Sequence, residues 1–169
     1  MGEQDKVPYP DEQACLALLH AFGTPVHVIA HCQAVARAAE RMGAALVERG
    51  YPLDLALIRA AALLHDIART ERDHEVAGAE YVKGAGCSPR IAEIVRVHMN
   101  LPEEQAHGIN EAVVVYLADK LVEEDREVSL EQRYAPRIAR AEEPLRGFIM
   151  QKYERAQQVY QMVSAALSH

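Results

Sequence analysis

The residues able to do chemistry in this chain are a spaced set of histidines and aspartates: His31, the adjacent pair His65-Asp66, His74, His98 and Asp119. The pair ends an apolar run, Ala60-Ala61-Ala62-Leu63-Leu64. Burying an imidazole and a carboxylate at the end of such a helix is costly unless both are paired or bound to a metal. Adjacent helical residues point about 100° apart. A cation near the helix end can still be gripped by both, and the carboxylate can turn its second oxygen to another cation. Asp119 is in a similar position, beside the apolar face of Tyr116-Leu117-Ala118-Asp119-Lys120. Neutral imidazoles and carboxylates make an N/O donor set, which suits iron, manganese, zinc or nickel. The plainer alternative for His65 and His98 is a histidine facing a helix dipole, with Asp66 beginning a turn. His27 and His31, four apart on one helix face, make a two-histidine clip if taken alone; His27 otherwise lines a pocket or sits on the surface.

These residues must be carried by helices, because the apolar spacing is helical along the chain. A first helix covers 11–22 and stops at Gly23. Thr24-Pro25 starts the next by cap-and-proline logic, and it runs through His31 to about Arg49, with Gly50 as its stop. Pro52 opens a helix apolar on most sides, the central buried one, which ends in His65-Asp66. Asp73 caps a helix from His74 to about Lys83. Gly84 and Gly86 break the chain, and Ser88-Pro89 begins a helix ending at His98. Residues 100–110 form a loop whose Asn100, Gln105 and His107 are placed to reach a pocket mouth. Asn110 caps the helix bearing Asp119. If that helix persists, Arg126 lies two turns beyond Asp119 on the same side. Ser129-Leu130-Glu131-Gln132 reads as a capping box for a helix to about Glu142. Pro144 opens the last helix, whose stripe Ile149, Tyr153, Ala156, Tyr160, Val163 and Leu167 packs on the bundle or marks a homodimer contact. This tail carries no chemical signal, and Tyr134 and Arg137 are minor candidates for a pocket edge.

Length and composition set the outer limits. With 169 residues, half of them hydrophobic, the chain suits one domain spanning 1–169, with the chemistry between about 24 and 130 and the helices of 130–168 packing on it. The three cysteines, Cys15, Cys32 and Cys87, form no CxxC pair, which argues against a disulfide framework and a thiolate zinc site. No apolar run is long enough for a membrane span. The start, MGEQDKVPYPDEQ, is polar, so the cytoplasm is the default compartment. A net charge of −7 without a basic run argues against duplex nucleic acid. A small anionic substrate remains open, since bound dications reverse the local sign.

The order His31, His65-Asp66, His74, His98, Asp119 resembles the HD-domain superfamily of metal-dependent phosphohydrolases, whose pattern is a His, a His-Asp pair and a distal Asp. The two intermediate histidines resemble the six-ligand, two-metal subset. His31-Cys32-Gln33-Ala34-Val35-Ala36 looks like the first-ligand segment, His74-Glu75-Val76-Ala77-Gly78-Ala79 like the third, and Ile94-Val95-Arg96-Val97-His98 like the fourth. The chain has His-Asp-Ile-Ala-Arg where many relatives have His-Asp-Ile-Gly-Lys, which keeps a small residue at Ala68 and a cation at Arg69. The stretch from Asp119 to Tyr134 looks like a bacterial group related to HD domains fused to molybdenum-cofactor-type nucleotidyltransferases.

The resemblance implies an all-α fold, a single HD-domain helical bundle. It implies His31, His65, Asp66 and Asp119 around one metal and Asp66, His74 and His98 around a second. His65 and Asp66 would be the catalytic pair, and Arg69, Lys120 and Arg126 the phosphate-binding candidates. The metals would be divalent, iron or manganese first, then zinc, nickel or magnesium. The implied reaction is cleavage of a small phosphoester or nucleotide by a metal-activated hydroxide. A two-iron oxygenase and a regulatory ligand-binding module without turnover are the alternatives.

Overall fold

A computed structural model describes residues 7–169; the first six positions of the polar start lie outside them. Eight α-helices and one short hairpin are present among the described residues: α1 (Glu12–Phe22), α2 (Val26–Glu48), α3 (Leu55–Leu64), α4 (His74–Gly84), α5 (Pro89–Val97), α6 (Glu111–Lys120), β1 (Val122–Glu123), β2 (Arg126–Glu127), α7 (Leu130–Arg140) and α8 (Leu145–Leu167). The all-α expectation therefore holds. No helix is long and apolar enough to cross a membrane among the described residues.

α3 is the axis of the bundle. Leu57, Ile58 and every residue from Ala60 to Leu64 are buried, and α1, α2, α5 and α6 pack around it. A helix buried on most of its circumference needs apolar residues all round, which is what this segment supplies. Its start differs from the expectation at Pro52. Asp54 is the N-cap, and its Oδ1 accepts from the Ala56 and Leu57 amides. Small residues let neighbouring helices come close. A β-carbon at Gly78 of α4 would lie 3.3 Å from both Ile67 and Val95, so α4 runs tightly past the turn after α3 and past α5.

Several caps are as expected. Ser88 accepts from the Arg90 amide with Pro89 in the first turn, Asn110 accepts from Val113, and Ser129 and Gln132 form the full capping box. Two caps differ. Thr24 does not cap α2; its hydroxyl donates to the Ile67 carbonyl at 2.8 Å and ties the start of α2 to the turn behind His65-Asp66. Asp73 stands at the head of α4 with φ of +50° and makes no side-chain cap bond. The chain leaves helical geometry after Lys120, and an antiparallel hairpin follows, Val122 facing Glu127 and Glu123 facing Arg126. The continuous helix that would have aligned Arg126 with Asp119 is absent.

Candidate metal centre

Each of the six side chains sits at or near a helix terminus or on a helix face turned to one point. His31 lies in the second turn of α2. His65 and Asp66 directly follow α3, His74 opens α4, His98 closes α5 and Asp119 lies in the last turn of α6. Five helices thus deliver six groups to one place. All but His31 are buried, and His65 is fully enclosed.

Asp66 lies at the centre and uses its two oxygens separately. Oδ2 is 3.6 Å from His31 Nε2 and 3.5 Å from His65 Nε2. Oδ1 is 3.3 Å from His74 Nε2 and 3.2 Å from His98 Nε2. Asp119 Oδ1 adds a second carboxylate to the first side, 3.0 Å from His31 Nε2 and 3.2 Å from His65 Nε2. The cluster therefore divides into two ligand groups that share Asp66. One is His31, His65, Asp66 and Asp119; the other is Asp66, His74 and His98.

The outer nitrogens fix the inner ones. His65 Nδ1 lies 2.6 Å from the Ala62 carbonyl, His98 Nδ1 2.6 Å from the Val95 carbonyl and His31 Nδ1 2.7 Å from the Glu124 carbonyl. A carbonyl oxygen only accepts, so Nδ1 carries the proton in each ring. In the neutral ring Nε2 then holds a lone pair. These lone pairs point at carboxylate oxygens, which are also acceptors. Such contacts repel unless a proton or a metal cation stands between them. Nε2 of both His74 and His98 is buried with no hydrogen-bond partner. A backbone carbonyl on the far nitrogen is the common support of a metal-ligating histidine. The donor set and the orphaned nitrogens both fit divalent metal ions.

The electrostatics point the same way. Burial works against charge on Asp66, yet the His65, His74 and His98 rings hold its carboxyl well below the usual range. Burial also opposes charge on Asp119, and Lys120, then His31 and His65, hold it low. His65 is raised in spite of burial, with Asp66 the main favourable neighbour. Burial lowers His98. Two carboxylates stay ionised in a dry site, and they require positive charge there.

A cleft of about 1650 Å³ opens over the cluster, and His31, Asp66 and Asp119 reach it. Arg69 stands at its edge, more than half exposed, with Nε 3.8 Å from Asp66 Oδ2. Lys120 is buried, and its Nζ lies 3.0 Å from Asp119 Oδ2 and 3.4 Å from the His98 carbonyl. Arg126 is exposed on β2 and is not among the cleft residues, because α6 ends at Lys120 and the hairpin turns the chain. His27, Asn100, Tyr134 and Arg137 line the cleft, whereas Gln105 and His107 do not.

Sequence reasoning missed Arg133, Lys152 and Arg155, which also line it. The expectation that the tail carries no chemical signal is corrected here, since α7 and α8 form one wall. Lys152 and Arg155 share a helical stripe with positions 145 and 148, but such a stripe reads the same whether it faces solvent or a cleft.

The family model for the HD domain matches residues 28–123, more than half of the chain. A protein of Picrophilus torridus named tRNA (cytidine(56)-2'-O)-methyltransferase is 34% identical over 139 residues, covering 73% of this chain and 39% of that protein. One of the same name from Thermoplasma volcanium is 30% identical over 147 residues, covering 78% of this chain and 42% of that protein. An uncharacterized protein of Methanocaldococcus jannaschii is 36% identical over 76 residues, with 43% of this chain and 45% of that protein covered. The matched part is thus less than half of each of these relatives. No solved structure gives a significant match.

Proposed function

The chain belongs to the HD domain family, and from that premise we propose that it is a metal-dependent phosphohydrolase of a small phosphoester or nucleotide. The observation that supports this most is the convergence of four imidazole Nε2 atoms on Asp66 and Asp119, two of them buried without a partner. In this reading His31, His65, Asp66 and Asp119 hold one divalent ion, and Asp66, His74 and His98 hold a second. Iron or manganese suits the mixed donor set first, with zinc, nickel or magnesium behind. When bound, such ions acidify a water and stabilise charge on phosphoryl oxygens.

The chain's own residues supply the rest. Asp66 and Asp119 offset the cationic charge, and the carbonyls of Ala62, Val95 and Glu124 hold the rings in the ligating tautomer. Arg69, more than half exposed at the cleft edge, takes phosphoryl oxygens in its planar fork. Lys120 keeps Asp119 ionised and adds positive charge at the same end of the cleft. The methyl transfer named for the Picrophilus and Thermoplasma proteins is not carried over, because more than half of each lies outside the match.

The test is elemental analysis of the purified chain, with phosphate release from a panel of phosphoesters measured in parallel. Two equivalents of a transition metal and hydrolysis that stops on chelation are expected. Oxygen consumption by the iron-loaded chain without phosphate release would replace the hydrolase with an oxygenase. Ligand binding without turnover of any kind would leave a regulatory module.

A further inference from the structure

The cleft has a wall that the metal ligands do not explain. α8 lends it Leu145, Phe148, Lys152 and Arg155, spaced three, four and three apart and so on one helix face. That face is apolar in its first turn and cationic in the next two. Leu145 and Phe148 are 55% and 56% exposed, although α8 buries a separate apolar stripe of Ala156, Val159, Val163 and Ala166. Their exposure at the cleft is therefore not explained by packing of the helix.

The cations of the cleft are not equivalent. Arg69, Lys120, Arg137 and Arg155 each face a carboxylate: Asp66, Asp119, Glu123 and Glu103 respectively. Arg133 donates to the Asp119 and Val122 carbonyls. Lys152 has no carboxylate within ion-pairing distance among the described residues, and its Nζ stands 5.0 Å over the Phe148 ring. Partial burial and the charge of Lys120 push its ammonium down, with Glu75 opposing. Asp66, Asp119, Glu123, Glu124 and Asp125 also line the cleft, but none of them pairs with Lys152, so its charge is met only when an anion binds beside it.

We infer that Lys152 and Phe148 form a second subsite of the cleft, selecting a substrate that carries a second anionic group and an apolar body besides the group over Asp66 and Asp119. The inference rests on the phosphohydrolase reading only for the identity of that first group.

The experiment is calorimetric titration of the full chain, in the presence of manganese, with two series of probes. One is a series of alkane bisphosphonates with a phosphonate at each end; the other is alkylphosphonates of the same lengths. At one or more lengths the bisphosphonate is expected to bind about tenfold more tightly than its partner, the scale of one hydrogen bond to a charged group. Lys152→Gln, with metal content and melting temperature at wild-type values, is expected to bring that ratio to one. Phe148→Ala is expected to weaken the longer members of both series by the same factor. No bisphosphonate preference at any length, or a preference that survives in Lys152→Gln, would overturn the subsite. Phosphonates are not hydrolysed. A chain that releases no phosphate from any phosphoester fails the hydrolase reading, and the binding ratio still decides the subsite.

Discussion

Asp66 differs from the other five cluster residues in belonging to both ligand groups, one oxygen to each. Its removal therefore has a different consequence from theirs. Asp66→Ala is expected to abolish binding of both ions and all turnover. His74→Ala and His98→Ala should each leave about one equivalent, because the group around His31, His65 and Asp119 stays intact; elemental analysis of the purified variants reads the difference. Loss of all metal in His98→Ala would break the assignment. Protons and metal compete for the same lone pairs, which gives a pH prediction. His65 is raised above its ordinary value of 6.5 in the metal-free chain. Its contribution to stability is then complete below about 6.5 and declines as pH rises through the raised value. Melting temperature without metal should fall over that window, and metal affinity should rise over it as the proton leaves; melting curves with and without manganese check both. At this scale the six residues were legible because imidazoles and carboxylates next to apolar runs have few inexpensive explanations. Arg133 and Lys152 were not legible, because a cation on an amphipathic helix looks the same whether it faces solvent or a cleft.

The elements make the site through close approaches that single residues permit. α4, which brings His74 to Asp66, lies against Ile67 and Val95 at Gly78. Gly78→Val adds a branched side chain where even a β-carbon would crowd both neighbours. The expected cost is about 1–3 kcal/mol, the range for overpacking, read by denaturant unfolding. The variant should also lose metal from the His74–His98 side first; an unaltered unfolding midpoint would show that α4 is not held by this contact. The hairpin after α6 acts in a comparable way on His31. Glu124, at a positive φ of 55°, presents its carbonyl to His31 Nδ1 at 2.7 Å, and Arg41 of α2 pairs with Glu127 on β2. The helices themselves were legible from period and caps, with small errors at the start of α3 and at Thr24 and Asp73. The hairpin was not, since two-residue strands carry no alternation to detect. Extending α6 through it placed Arg126 on the wrong side.

Over the whole molecule, charge is distributed unevenly. The chain carries −7, yet its cleft gathers six cationic side chains, from the Arg69 turn, α6, α7 and α8, against five carboxylates. A total over the sequence cannot register that partition, which depends on how the C-terminal helices fold back over α2 and α6. Two carboxylates also lie buried beneath the cleft, and in the metal-free chain the partnerless Nε2 atoms of His74 and His98 face one of them, Asp66. Ions that bind only the folded chain add RT ln(1 + [L]/Kd), about 2.7 kcal/mol at a free concentration of 100 Kd. For a chain of this length each kcal/mol shifts the melting temperature by about 2–4 °C. Chelation should therefore lower it by about 5–11 °C per site, restored by adding back the metal. Asp66→Ala, which has no shared carboxylate, should melt at one temperature with or without chelator. An equal chelator effect in that variant would place the stabilising ion elsewhere in the molecule.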